Sequence, residues 1–207
     1  MTNGRIILFG GSFDPIHLGH IEVARASQAK LQAQEVIFIP AKQSPHKNVE
    51  PSASPADRLH MIALAIANDN GFRVSPCEID RPSPSYTLDT VKLFRDETKS
   101  NTELCFLIGA DAIPDLHRWY RIEELMSLCR LCTMCRGGFD KPDFSILKNQ
   151  FPPERIAQLE HDVIRTPMLN ISSTEIRRML SDGKSVVGIV PGVVAGYIRK
   201  NRLYSSH

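Results

Sequence analysis

The sequence has no run of 18 apolar residues, and its first residues do not form a basic segment followed by an apolar one. We therefore expect neither a membrane-spanning helix nor a secretory leader, and we expect a cytoplasmic protein. A bias toward charge of one sign is also lacking, because 25 lysines and arginines stand against 23 aspartates and glutamates. Bulk charge thus predicts no binding to nucleic acid or to a membrane, so any affinity for phosphate has to be local.

Cysteines are few and odd in number, five in 207 residues, so a complete disulfide framework is not expected. Three of them, Cys129, Cys132 and Cys135, have a spacing that zinc or iron–sulfur ligands can use. A fourth thiolate would have to come from Cys77 or Cys105, which are distant in the chain. Because the segment around the three is apolar, we favour packing in a buried strand, and a role beyond packing stays open.

Repeats, low-complexity tracts and a clear domain linker are absent as well, so we expect a single domain over residues 1–207. Short apolar runs alternate with segments of helical spacing. This alternation predicts an α/β fold, a Rossmann-like doubly wound parallel sheet with helices on both faces and a C-terminal helical segment. The predicted strands are 6–9, 35–39, 72–79, 103–108, 131–135 and a short one near 162–165, and the predicted helices are 18–32, 55–68, 87–97, 119–128, 144–150, 173–181 and 192–201.

Residues 10–20, with the sequence GGSFDPIHLGH, lie between the first predicted strand and the first predicted helix. The segment is neither a Walker A loop nor GxGxxG. It places His17 and His20 at or just inside a helix N-terminus, where unpaired N–H groups and a partial positive charge favour phosphate. Gly10 and Gly11 let the backbone approach a ligand, and Gly19 removes a side chain between the imidazoles. Such histidines can also be metal ligands or surface residues, but no acidic or cysteine partner lies nearby at zinc spacing.

Segment 10–20 resembles the first signature of nucleotidyltransferases with an HxGH motif, and nearly the whole chain is similar to the bacterial nicotinate-nucleotide adenylyltransferases. The resemblance implies adenylyl transfer from ATP to the 5′-phosphate of nicotinate mononucleotide, giving nicotinate adenine dinucleotide and pyrophosphate in NAD biosynthesis. It also implies Mg²⁺ together with ATP as co-substrate, and it makes His17 and His20 catalytic donors to phosphate oxygens. The ATP-binding residues that it implies in this segment are Gly10, Gly11, Ser12, Phe13 and Gly19.

A second helix start with anion-binding groups lies at residues 171–177, with the sequence ISSTEIR. Ser172 and Glu175 fit a capping box, so the segment predicts a well-formed helix start in its own right. It also carries further hydroxyls and a guanidinium, which together make an anion site. In the resembling family this ISSTxxR segment meets the ATP phosphates from the side opposite the histidines. The resemblance thus implies ATP contacts for Ser172 and Thr174 and a catalytic role for Arg177, and which hydroxyl caps the helix stays open.

Two predicted strands are followed directly by polar residues that suit a nucleotide. Asp111 comes just after the strand 103–108, where a carboxylate can accept hydrogen bonds from both ribose hydroxyls. The resemblance implies that Gly109 and Asp111 lie at the ribose and adenine of ATP. It also implies that Arg136, at the end of the strand 131–135, reaches the ATP end of the cleft. Arg136 is followed here by two glycines, where family members often have Pro-Gly.

The acceptor site is implied by four residues outside the phosphate motifs. Trp119, the one tryptophan, would by default pack in the core, but the resemblance implies that it stacks on the pyridine ring, and its polar neighbours also favour that role. Tyr86 and Thr87 begin a predicted helix whose N–H groups can receive a carboxylate, although Ser85 can also simply cap that helix. The resemblance implies that these two residues help to bind nicotinate and that Lys47 binds the acceptor phosphate from a long loop.

Other functions remain open at this stage. The same chemistry could act on nicotinamide mononucleotide or phosphopantetheine, or the chain could be a nucleotide-sensing domain that does not turn over. The expected partners are small nucleotides, and a homo-oligomer is left open. Because the acceptor phosphate is already an anion at neutral pH, no general base is needed, and catalysis consists of positioning and charge stabilisation.

Overall fold

The computed structural model describes residues 4–42, 51–82, 84–136, 142–166 and 171–205. Its centre is a parallel sheet of six strands with the order β3-β2-β1-β4-β5-β6. The strands are β1 (Arg5–Gly11), β2 (Glu35–Pro40), β3 (Phe72–Val74), β4 (Glu103–Gly109), β5 (Arg130–Arg136) and β6 (Val163–Thr166). The order reverses between β1 and β4, which confirms the doubly wound prediction. Ligands bind such sheets beyond the carboxyl ends of the strands at this reversal.

Helices cover both faces of the sheet, as the sequence predicts. The helices are α1 (Leu18–Leu31), α2 (Pro55–Ile66), α3 (Thr87–Glu97), α4 (Ile122–Leu128), α5 (Pro153–His161), α6 (Ser173–Ser181) and α7 (Gly192–Lys200). One core cluster holds residues of α1, α2, α6 and α7, and the other holds residues of α3, α4 and α5. Strand side chains alternate between the two, so that Ile7 and Phe9 of β1 join the first cluster and Leu8 joins the second.

Three predicted elements have other bounds in the structure, and in each case a local turn explains the difference. The predicted strand 72–79 ends at Val74, because the N–H groups of Ile79 and Asp80 both bond to the carbonyl of Pro76 and close a turn. The predicted helix 119–128 begins only at Ile122, since residues Ala110–Arg118 form a 3-10 helix that ends at Trp119. The predicted helix 144–150 is a single 3-10 turn at Phe144–Leu147.

Helix α5 has no counterpart among the predicted elements. Pro152 precedes the helix and Pro153 is its first residue, and two successive prolines normally favour a break in regular structure. Pro153 instead occupies the first turn, where a missing N–H costs nothing. No helix among the described residues is both long enough and apolar enough to span a membrane.

The cysteines are free thiols: Cys77 is half-buried, and Cys105, Cys129, Cys132 and Cys135 are buried. Cys105 and Cys132 lie in the first core cluster, on neighbouring strands, while Cys129 lies in the second. Burial raises the pKa of Cys129 to about 12, so its thiol stays protonated. Within the described ranges, no group of three or more histidine, cysteine or acidic residues could hold a metal ion. These cysteines therefore pack as small apolar side chains.

Candidate active site

A cavity of about 230 Å³ opens at the carboxyl ends of β1 and β4, where the strand order reverses. Backbone and small residues of the two strand ends form one wall, and the start of α3 with two aromatic residues forms the other. Eight of the residues that the sequence singles out line this cavity: Gly10, Gly11, Ser12, Tyr86, Thr87, Gly109, Asp111 and Trp119. Other candidate residues lie in segment 10–20 or at the start of α6: Phe13, His17, Gly19, His20, Ser172, Thr174 and Arg177.

The two histidines form a stacked pair at the start of α1. His17 is the N-cap residue, and its ring centroid lies 3.7 Å from that of His20 at an interplanar angle of 21°. The backbone N–H of His17 donates to Nδ1 of His20 over 3.3 Å. Because Nδ1 accepts this bond, the proton of the neutral His20 ring lies on Nε2, which makes Nε2–H a hydrogen-bond donor.

Gly19 leaves the room that the His17 ring occupies. A Cβ at this position would lie 3.0 Å from both Cε1 and Nδ1 of His17, closer than an ordinary contact. His17 is buried and its ring stacks on that of His20, so the ring has little space to move away. The absence of a side chain at residue 19 is therefore a requirement of the histidine pair.

Phe13 has its side chain inside the protein. It is 1% exposed, adopts a left-handed φ of 46°, and packs against Phe9, Phe38 and the ring of His20. A contact between Phe13 and a nucleotide can therefore come only from its backbone. The ring of Phe13 packs in an edge-to-face arrangement against the ring of His20, at a centroid distance of 5.0 Å.

Helix α6 begins directly against segment 10–20, so the two anion sites predicted from distant parts of the sequence are neighbours. Arg177 donates from Nη1 to the carbonyl oxygen of Asp14 at 2.7 Å and from Nη2 to Oγ1 of Thr174 at 3.3 Å. Ser173 donates to the carbonyl oxygen of Pro15 at 3.0 Å. The hydroxyl of Ser172 accepts from the backbone N–H of Glu175 at 3.2 Å, so Ser172 is the residue that caps α6.

Asp14 is a site residue that the sequence reasoning missed. Its buried carboxylate accepts from the backbone N–H groups of Ser52 at 2.7 Å and Ala53 at 3.0 Å, and from the hydroxyl of Tyr204 at 2.7 Å. Oδ2 also lies 3.7 Å from Nη1 of Arg177. Asp14 thus joins the signature segment to three separate parts of the chain.

Arg58 of α2 is the second missed residue, a cation beneath the glycine-rich turn. It is 1% exposed, and its Nη1 donates to the carbonyl oxygens of Ser12 at 2.9 Å and Ala41 at 2.8 Å. Burial lowers its pKa from the ordinary value, an effect that the nearby charge of Asp14 opposes. Arg58 holds the ends of β1 and β2 together at the floor of the site.

The cavity wall at the end of β4 is shaped by Gly109 and Asp111. A Cβ at residue 109 would collide with Oδ1 of Asp111, so glycine is needed for the carboxylate to take this place. Asp111 is exposed, and its oxygens are therefore accessible to a ligand. Arg136 is the last residue of β5, opposite Thr166 of β6.

The wall of the cavity formed by the start of α3 and residues 119–120 is aromatic. Tyr86 occupies the N-cap position of α3, where Ser85 was the candidate, and its ring stacks on Tyr120 at a centroid distance of 4.5 Å. Ser85 instead donates to the carbonyl oxygen of Glu78 at 3.5 Å. Trp119 is half-buried: it lines the cavity and also packs against the second core cluster. Tyr120, 49% exposed, was overlooked because it follows the tryptophan in a polar segment.

Glu78 places a buried carboxyl in the cavity wall. Thr90 of α3 donates to its Oε1 at 2.7 Å, and Arg81 donates to the same threonine hydroxyl at 2.6 Å. Burial raises the pKa of Glu78 above its ordinary value. No sequence pattern indicated a role for Glu78, because it lies in the turn after β3, within the segment 72–79 that was predicted to be a strand. Lys47 lies outside the described residues, as does most of the loop that carries it.

Comparisons with known proteins agree with this arrangement. A model of the cytidylyltransferase-like family matches residues 8–179. The chain is 39% identical over 198 residues to a probable nicotinate-nucleotide adenylyltransferase of Dehalococcoides mccartyi, which covers 95% of each chain. It is 37% identical over 206 residues to the protein of that name from Roseiflexus castenholzii, which covers 99% of this chain and 100% of the other.

Solved structures share the fold. Plasmodium falciparum nicotinic acid mononucleotide adenylyltransferase complexed with NaAD superposes with a TM-score of 0.73 at 23% identity, over 97% of each chain. The same enzyme complexed with APC gives a TM-score of 0.70 at 22% identity, again over 97% of each chain. At this level of identity the likeness shows the architecture of the sheet and its helices.

Proposed function

This chain belongs to the nicotinate-nucleotide adenylyltransferase family, within the cytidylyltransferase-like proteins, and we propose that its site transfers the adenylyl group of ATP to the 5′-phosphate of nicotinate mononucleotide. The products are nicotinate adenine dinucleotide and pyrophosphate. The observation that carries the proposal is the contact of the start of α6 with segment 10–20: Ser173 and Arg177 bond to the backbone of Pro15 and Asp14, in the same segment that holds the two histidines and whose glycine-rich start lines the cavity.

The reaction is an in-line displacement at the α-phosphorus of ATP. An oxygen of the acceptor phosphate forms the new P–O bond, and the bond to the pyrophosphate oxygen breaks with its electron pair. Because the attacking phosphate is already ionised, no proton has to be removed from it. Nε2–H of His20 and the guanidinium of Arg177 are suited to stabilise the charge that develops on the phosphate oxygens, together with the N–H groups at the two helix starts.

The cavity supports a pyridine nucleotide as the acceptor. Its walls carry Trp119 and the stacked pair of Tyr86 and Tyr120, which suit a flat ring. The start of α3 supplies backbone N–H groups and a partial positive charge for the carboxylate that distinguishes nicotinate from nicotinamide. The buried carboxyl of Glu78, in the turn after β3, lies in the same wall and accepts a hydrogen bond from Thr90 of α3.

We propose that Mg²⁺ is required together with ATP and that it would be bound as part of the nucleotide substrate, not as a resident metal ion of the protein. The described residues form no cage of three or more histidine, cysteine or acidic ligands, and the carboxylate of Asp14 is already occupied by three donors. This donor set fits an ion that keeps most of its waters, as Mg²⁺ does. When bound, the ion supplies charge neutralisation to the leaving pyrophosphate.

We further propose that free nucleotides are the partners of this chain and that it acts in the cytoplasm. Support comes from the chemistry of the site, since both substrates are small, charged and present where ATP is made and used.

Pyrophosphate release in the presence of ATP and Mg²⁺ tests the reaction. Nicotinate mononucleotide, nicotinamide mononucleotide and phosphopantetheine are compared as acceptors, and the dinucleotide product is identified by mass. We expect a strong preference for the nicotinate form. Turnover with phosphopantetheine alone would contradict the assignment of the acceptor, and ATP binding without turnover on any acceptor would indicate a sensor.

A further inference from the structure

The turn after α7 carries an unusual backbone conformation. Arg202 and Tyr204 have φ values of 52° and 64°, in the left-handed region that residues with a Cβ rarely adopt. The turn is closed by a hydrogen bond of 3.0 Å from the N–H of Leu203 to the carbonyl of Ile198. Two such residues in a stretch of three indicate that the surrounding contacts hold this turn in place.

The contact that the turn makes is with the signature segment. The hydroxyl of Tyr204 donates to Oδ1 of Asp14 over 2.7 Å, across 190 positions of sequence. Burial and the charge of Asp14 raise the pKa of the phenol, so it remains protonated and able to donate. Leu203 and Tyr204 also pack against the first core cluster, which fixes the ring.

Asp14 connects this phenol to the catalytic groups. Its carbonyl oxygen holds Nη1 of Arg177 at 2.7 Å, while Oδ2 of its carboxylate lies farther from the same nitrogen, at 3.7 Å. It also stands three residues before His17. The other donors to the carboxylate are the N–H groups of Ser52 and Ala53, and the other cation near it is Arg58.

The phenol therefore affects how strongly Asp14 attracts Arg177. With Tyr204 donating, part of the carboxylate charge is satisfied, and the guanidinium bonds to the backbone oxygen and Thr174 instead of forming a close ion pair. Without that donor, the carboxylate would draw Arg177 toward itself and away from the triphosphate.

We infer that Tyr204 is a positioning residue for the adenylyl donor: by its bond to Asp14 it keeps Arg177 available to the phosphates of ATP. The inference rests on the proposed function, and it adds the C-terminal turn to the machinery of the site. Tyr204 does not need to touch either substrate, and it acts through Asp14.

The test compares Tyr204→Phe with a matched control, Tyr197→Phe. Tyr197 lies on α7 and donates to a carboxylate oxygen of Asp57 at 2.8 Å, so both changes remove one phenol–carboxylate hydrogen bond and leave the ring. Steady-state kinetics with each substrate varied, together with thermal unfolding, are measured for both. For Tyr204→Phe we expect kcat/KM for ATP to fall about tenfold, with KM for nicotinate mononucleotide within about twofold of the wild type. For Tyr197→Phe we expect both values to stay within about twofold.

A purely structural role would give another result. If both variants lower the unfolding midpoint equally and neither changes kcat/KM for ATP, or if both change it alike, the inference is wrong. A cycle with Asp14→Asn provides a second test, because Tyr204→Phe should add little in that background. If the wild type itself does not turn over, the proposed function fails. The inference is then judged by ATP binding, where a loss of less than about threefold in Tyr204→Phe overturns it.

Discussion

Replacing Gly19 by alanine separates the stability of α1 from the placement of the histidines. Alanine in place of glycine within a helix stabilises the folded protein by about 0.5–1 kcal/mol, because glycine loses more backbone freedom on folding. The new Cβ, however, would lie 3.0 Å from Cε1 and Nδ1 of His17. Ordinary carbon contacts are about 3.5–4.0 Å, so the ring must move by roughly half an ångström.

The backbone around residue 19 cannot absorb this shift easily. The N–H of Leu18 bonds to the carbonyl of Ile189 at 3.0 Å, and the N–H of His20 bonds to the carbonyl of His17 at 2.9 Å. The displaced ring presses on His20, its stacking partner at 3.7 Å. Since a misplacement of 1 Å in a positioned group can cost about a hundredfold in rate, we expect kcat of Gly19→Ala to fall about tenfold.

Gly196→Ala is the matched control, because residue 196 is on α7 and a Cβ there meets no atom within 4 Å. Gly196→Ala should unfold at or above the midpoint of the wild type, Gly19→Ala should unfold at a lower midpoint than Gly196→Ala because of the displaced ring, and only Gly19→Ala should lose activity in the pyrophosphate-release assay. Wild-type kcat in Gly19→Ala, or an equal loss in Gly196→Ala, would refute the reasoning about the ring.

Three further predictions concern single side chains. His20→Ala should lower kcat about a hundredfold or more by removing one phosphate donor, whereas His60→Ala, on the exposed side of α2, should keep wild-type kcat in the same assay. Trp119→Ala should raise KM for the pyridine nucleotide while leaving ATP affinity, measured by calorimetry, nearly unchanged; equal losses for both substrates would contradict stacking on the acceptor. Glu78→Gln should be more stable than the wild type, by an amount that grows with pH. Burial raises the pKa of Glu78, so the folded protein keeps this proton to a higher pH than the unfolded chain does. The free energy of unfolding of the wild type therefore falls as pH rises from the ordinary pKa of a glutamate through the raised one. Unfolding by denaturant at several pH values measures this difference, and a constant difference would count against the buried-carboxyl explanation.

Helices and strands whose bounds are set by nearby residues in the chain could be predicted from the sequence. Helix α6 begins and ends as expected, because the hydroxyl of Ser172 caps it in the way that its spacing to Glu175 indicates. The glycines and histidines of segment 10–20 follow β1 and open α1 as their order predicts. The alternation of short apolar runs with segments of helical spacing was enough to predict the parallel sheet and the helices that cover it.

Residues whose role depends on distant partners could not be predicted. The carboxylate of Asp14 is held from positions 38 and 190 residues away, and nothing in its own neighbourhood indicates those donors. Arg58 is charged on the buried side of an ordinary amphipathic helix, where a charge normally counts against burial. Trp119 was placed in a helix because the 3-10 helix before it has no distinctive period of its own.

A crystal structure with a non-hydrolysable ATP analogue and Mg²⁺ tests the central claim most directly. We predict the triphosphate between the starts of α1 and α6, with phosphate oxygens within about 3.2 Å of Nε2 of His20 and of the guanidinium of Arg177. The account would be contradicted by a triphosphate bound elsewhere, for example at the amino ends of β1 and β4, near Arg5 and Arg95.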